Sequence, residues 1–392
     1  MNPSLFDQLE STLNTEGPGP AIARLCDSLR KSKDYNALFY ALLMSKRHEL
    51  GVTPVPTGPA SDLPESLHPA YEEGIRSAAR EVGNLHLAEG NIPQAWGFYR
   101  MIEEPQPIRE AIEKFEPGDD DDLQPLVQIA FYEGLHPRKG FDWVLSRYGI
   151  CSAITTVSGE LPHAEEDKLY FVRALVRSLY HDLRDRLANE IEHRFTVRPE
   201  AADLPPDTPG VVAKLIADRD WLFADEAYHI DTSHLSSVVQ MSMHLKPCLE
   251  LNLARELCLY GQKLTGRFMG EDMPPFDNGY TDYEIYLSIL AGDRVDEGLA
   301  HFRKKAEEAD PDEVGTYPAE VLVNLLLKVG RGREAVEVAK QYLVQAEGRQ
   351  LTCPDVYELC QRFKVYDVLA ETAKKQGDVV HYLAGRIASG SK

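Results

Sequence analysis

The run YHIDTSHL, Tyr228 to Leu235, sets two histidines and an aspartate in the pattern His-x-Asp-x-x-His. Imidazole and carboxylate groups at this range could share one metal ion or pass a proton between them. Upstream, Glu190 and His193 form Glu-x-x-His, a spacing that turns a carboxylate and an imidazole to one side of a helix. No other part of the chain is as dense in such groups as 190–234. Glu190, His193, His229, Asp231 and His234 together suit a divalent metal such as zinc, iron or manganese. With an open coordination position, that ion could activate water for hydrolysis.

The same residues have a competing account, which their context favours. Asp231, Thr232 and Ser233 are all good helix caps. Leu235, Val238, Val239 and Ser242 follow at helical spacing, and Lys246-Pro247 ends the segment. The next run, PCLELNLARELCLYGQKL (247–264), reads as an antiparallel partner. DTS then opens a helix hairpin. His234 lies in the first turn, where a positive ring opposes the helix dipole, so it is expected neutral and hydrogen-bonded. His229 sits just outside and is expected to pack at the hairpin entry.

The helix facing this entry is predicted over 165–195. Residues 172, 175, 176, 179, 183, 187 and 191 form one apolar stripe. At about 100° per residue from Leu179, the stripe centres at about 40°. Arg186 (about −20°), Glu190 (about 20°) and His193 (about −40°) then fall on or beside it, with Asp182 at its edge and His181 on the solvent side. Arg186 and Glu190, four apart, can pair. His193 can sit against the negative end of the helix. Other chemistry is weaker. No Gly-x-Ser-x-Gly, phosphate loop or dinucleotide fingerprint occurs. Cys151, with His136 and His163 nearby in sequence, is expected to be core packing rather than a nucleophile.

The elements that must position these residues are helices broken by polar turns. The first are expected at 4–14, 20–31 and 34–49, the third capped by Asp34. SAITTV (152–157) fits either a short strand or a threonine-rich helix. Four aspartates, 119–122, read as a solvated turn before a helix near Leu123. Pro-rich breaks at 51–64, 198–210 and 270–279 divide the chain into 1–50, 65–197, 211–269 and 280–392. The 392 residues are too many for one small domain, and 43% hydrophobic content is enough to build a core.

The formal charge of −21, from 63 acids against 42 bases, argues against nucleic acid and anionic membrane as partners. A cationic partner, or simple solubility, fits it. The start MNPSLFDQLE lacks the basic and apolar regions of a signal peptide, and no run is apolar enough to span a membrane. Cysteines at 26, 151, 248, 258, 353 and 360 form no Cys-x-x-Cys and read as the reduced thiols of a cytoplasmic protein.

Four segments echo one another: LHLAEGNIPQAWGFYR (85–100), IAFYEGLHPRKGFDWVLSRYG (129–149), IYLSILAGDRVDEGLAHFR (285–303) and LVNLLLKVGRGREAVEVAK (322–340). In each, a leucine-rich or aromatic helix ends at glycine, a polar turn follows, and a second helix begins. Glycine suits the left-handed residue that stops a helix. Ala95, Gly140, Gly298 and Ala335 are placed where two helices approach closest. A hairpin alone leaves an apolar face open, so neighbours must stack. Leu-x-x-Gly followed by Glu-Ala or Gln-Ala resembles the tetratricopeptide repeat; the best copy is LLLKVGRGREAVEVAKQYL (325–343), with prolines at 105 and 311 near repeat ends. The resemblance implies an all-α array of right-handed helical hairpins, an α-solenoid with one longer central helix, that binds a protein or peptide on its concave face. A non-catalytic scaffold is therefore the expected function, a metal-dependent hydrolase the alternative, and a self-assembling structural subunit a third reading.

Overall fold

A computed structural model describes residues 4–55, 62–159, 161–264, 273–344 and 351–390. Among them there are helices and turns but no strand. No helix among the described residues is long and apolar enough to cross a membrane. Residues 56–61 of the expected 51–64 break, and 270–272 of the 270–279 break, lie outside the described residues. The chain forms two compact units, Met1–Arg147 and Tyr148–Lys392.

The first unit holds α1 (Leu5–Glu16), α2 (Pro18–Ser32), α3 (Tyr35–Glu49), α4 (His68–Ala88), α5 (Ile92–Met101), α6 (Gln106–Lys114), α7 (Gln124–Val127) and α8 (Pro137–Trp143). Asp34 caps α3 as its position predicts, accepting from the Ala37 amide at 3.1 Å. The aspartate run is an exposed turn ahead of α7. Asp122 accepts from the Gln124 amide at 3.0 Å, and Asp121 from Gly118 at 2.7 Å. Acids at this position face the unpaired amides of a helix start.

The second unit holds α9 (Gly149–Val157), α10 (Glu165–Phe195), α11 (Val211–Ile216), α12 (Thr232–Ser242), α13 (Leu249–Gly261), α14 (Tyr280–Leu290), α15 (Val295–Glu308), α16 (Pro311–Val314), α17 (Tyr317–Lys328), α18 (Gly332–Tyr342), α19 (Val356–Arg362), α20 (Tyr366–Gln376) and α21 (Val379–Gly390). SAITTV is helical. Thr155 and Thr156 return their hydroxyls to carbonyls four residues back, at 3.0 and 2.8 Å. Such bonds let hydroxyl-rich sequence stay in a helix.

All four echoing segments form paired helical segments in the structure. Their turn glycines, Gly90, Gly134, Gly292 and Gly330, have φ of 75°, 73°, 81° and 76°. The small residue after each turn lies at a close approach. Ala95 and Ala335 are fully buried. A Cβ built on Gly140 would lie 2.7 Å from the Phe131 amide nitrogen, and one on Gly298 2.5 Å from Ile289. These distances are too short for any larger side chain without displacement.

The central helix α10 is the floor for α9, α11, α12 and α13. Every position of its expected stripe is buried, and so are Phe171, Tyr180, Arg184 and Ala188. Towards its end the buried positions advance by fours, as 183, 187, 191 and 184, 188. Each step of four turns the buried face by about 40°. The face covered at residue 190 is therefore rotated from the averaged stripe. Arg186, Glu190 and His193 consequently lie outside, exposed, rather than on the buried face.

Candidate functional site

The two segments singled out by their chemistry do meet. Asp231 is the N-cap of α12, accepting from the Ser233 amide at 2.8 Å and the His234 amide at 3.3 Å. This cap fixes the chain just before it, and His229 is turned inward to 7% exposure. Its ring sits edge-on to Phe223 and Tyr260, with centroids 6.0 and 5.7 Å away.

Tyr260, on α13, ties the segment down with one oxygen. That oxygen accepts from the His229 backbone amide at 2.7 Å and lies 3.1 Å from the ring Nδ1. With Nδ1 unprotonated, the hydroxyl proton goes to it while the amide contact uses an oxygen lone pair. The neutral imidazole then carries its own proton on Nε2. Nε2 lies 3.0 Å from the Glu190 carboxylate. The approach is off the line of a ring N–H bond, and Nε2 has no aligned hydrogen-bond partner. Burial pulls the His229 pKa down; Glu190 works against that shift and Arg186 adds to it. Burial pushes the Tyr260 hydroxyl up to about 12.

The result is a carboxylate–imidazole–hydroxyl chain, Glu190–His229–Tyr260. Its order resembles that of a proton relay. Its setting is that of a packing tie: both His229 and Tyr260 are buried, and a general base must reach the proton it takes from a substrate. Of the five candidate ligands, only Glu190 and His229 meet in this chain. Asp231 spends its carboxylate on the cap, where hydrogen bonds from Ser233 hold its pKa down against burial. His193 is exposed in the last turn of α10, and His234 is half-buried in the first turn of α12. Among the described residues, no group of three histidine, cysteine, aspartate or glutamate side chains is arranged to hold a metal ion.

Several side chains differ from their expected places. Arg186 pairs with Asp182 at 2.7 Å, not with Glu190, because Glu190 is drawn to His229. His181 is partly exposed and binds Asp207 at 2.8 Å. Cys151 is exposed rather than packed in a core; it lies on the outer side of the short helix α9.

Other ties were invisible in sequence. Buried Arg184 donates to the carbonyls of Ala202, Leu204 (2.6 Å) and Pro205 (3.1 Å), clamping the Pro-rich 198–210 loop onto α10. Buried Glu256 accepts from Tyr180 at 3.1 Å and from the Ala213 amide at 3.1 Å. Fully buried Asp282 binds His301 at 2.7 Å and Lys305 at 2.9 Å. Burial opposes the charge on Lys305, but its bonds to Asp277 and Asp282 outweigh it and raise the pKa. Each pairing spans 18 or more residues of chain. For Glu256 and Asp282, an acid set within an apolar helix, α13 or α14, is the one signal the sequence offers.

No family model matches the chain, and no curated protein or solved structure matches it.

Proposed function

We propose that the chain is a non-catalytic scaffold, a tetratricopeptide-like array of right-handed helical hairpins that binds a protein or peptide. The observation supporting this is the order of packing from α13 onward. α13 packs on α14, α14 on α15, α15 on α17, α17 on α18, α18 on α19, α19 on α20 and α20 on α21. Contacts that run mainly between chain neighbours are the mark of a stacked array, whose repeats bury what single hairpins leave open. Charged ties follow the same order: Arg255–Glu284 at 3.2 Å, Arg303–Glu334 at 3.1 Å and Lys340–Glu371 at 2.7 Å. The polar chain at His229 fits this reading as a strut between α10, the α12 entry and α13.

The charge of −21 favours a cationic partner. The test is capture on the immobilised full chain, identification of what is retained, and reconstitution from purified components. A saturable one-to-one complex, weakening as ionic strength rises, is expected. Failure of every retained candidate to reconstitute, or turnover of a small molecule by the purified chain, would overturn the reading.

A further inference from the structure

The end of α9, the start of α10 and the end of α12 enclose a cavity of about 620 Å³. That lies within the range of small-molecule sites, roughly 300–1,000 Å³. Leu161, Leu169, Val172 and Met241 give it an apolar wall; Glu165, Lys168 and His244 stand at its polar edge. Glu165 and Lys168 pair with each other at 3.0 Å and largely cancel.

The remaining charge is not cancelled. Lys328, at the end of α17, donates to the Met243 carbonyl beside His244, and its ammonium stands 5.6 Å from the centre of the Tyr286 ring. Among the described residues no carboxylate pairs with it, whereas Lys305 has two and Lys340 has one. Burial alone pulls the Lys328 pKa down. Among the described residues the His244 ring makes no hydrogen bond. It is open to solvent, yet surrounding protein and the nearby Lys328 lower its pKa, with Glu165 working against that shift. His244 lines the cavity. Glu165 at this edge is held by Lys168, which leaves the Lys328 ammonium as the charge without a paired carboxylate among the described residues.

We propose that this cavity binds an organic carboxylate with an apolar body. Its hydrocarbon lies along Leu161, Leu169, Val172 and Met241, and its carboxylate sits at the His244 edge, on the side where Lys328 binds the Met243 carbonyl. The apolar wall supplies the burial term. The ammonium supplies a charge-assisted hydrogen bond. A bound carboxylate favours the protonated imidazole, so His244 takes a proton from solvent as the ligand enters. This site is independent of the scaffold reading, and its failure would leave that reading untouched.

Decanoate, below its micelle concentration, is the probe, titrated calorimetrically into the full chain near pH 7. One saturable site is expected, with decanol about tenfold weaker or worse and decylamine not bound, as one charge-assisted bond implies. Heats measured in buffers of different ionisation enthalpy should report proton uptake. Lys328→Met should weaken decanoate about tenfold and leave decanol unchanged. In the unsubstituted chain, the His244 ring resonance should move to higher pKa as decanoate saturates, which needs no variant to fold. Absence of saturable decanoate binding, equal affinity for decanol, or an unmoved His244 resonance would overturn the proposal.

Discussion

Replacing Tyr260 by Phe removes one oxygen and keeps the ring against Phe223, 5.5 Å between centroids, and against His229. The oxygen serves two groups: the His229 amide at 2.7 Å and Nδ1 at 3.1 Å. Both are buried, so water does not replace it without opening the entry to α12. An unpaired buried amide costs about 1–3 kcal/mol, and the loss of the second bond about 1 kcal/mol more. The expected loss is therefore about 2–4 kcal/mol, from a substitution that removes no apolar area. Trp221, beside Phe195 at 5.6 Å and under Arg194 at 4.2 Å, reports the unfolding of this region. Urea unfolding followed by Trp221 fluorescence, with Trp96 and Trp143 replaced by Phe in both chains, isolates that signal. Amide exchange at His229 should accelerate by a similar free energy. A loss under about 0.5 kcal/mol, with exchange at His229 unchanged, would refute the assignment of Tyr260 as the tie.

Acid should weaken the second unit through His229. Its folded pKa lies below the ordinary value, so the unfolded chain takes up the proton first. The stabilisation is complete above about pH 6.5 and is lost as pH falls from there through the folded pKa. Glu190→Gln removes a group that raises that pKa and should steepen the loss, read by thermal unfolding between about pH 7 and 5. Gly298→Val drives a side chain into Ile289, 2.5 Å from the position of its Cβ, and should cost about 1–3 kcal/mol in denaturant. Gly97→Ala, with open space around its Cβ, should instead stabilise by about 0.5–1 kcal/mol. Arg184→Met unclamps three carbonyls of the 198–210 loop. It should cost at least about 3 kcal/mol and open that loop to limited proteolysis, a cut not expected in the parent chain.

Much of the local structure was legible in advance. Leu179, Leu183, Leu187 and Ile191 recur at helical spacing, so α10 could be bounded at 165–195 from periodicity alone. The hairpin turns were legible because Gly90 or Gly292 satisfies a backbone demand that few other residues meet. The cap at Asp231 was equally local, since it binds amides two and three residues on. Arg186, Glu190 and His193 were misplaced for an identifiable reason. A single averaged stripe takes the buried face to be straight, whereas α10 is covered by different helices along its length.

Local sequence therefore determined that the chain is helical, where its long central helix runs and where several turns and caps fall. These properties depend on residues within a few positions of one another. Tertiary structure alone decided which charged and polar groups meet. Glu190 reaches His229, and His229 reaches Tyr260 31 residues away. Lys328 comes to the Met243 carbonyl from 85 residues away, and among the described residues no carboxylate pairs with it. Such meetings depend on how α10, α12, α13 and α17 are rotated and stacked, and many side chains set that together. A motif read along the chain could find His229. Only the packing could show that its partner is a tyrosine, and that Lys328 comes to rest beside His244.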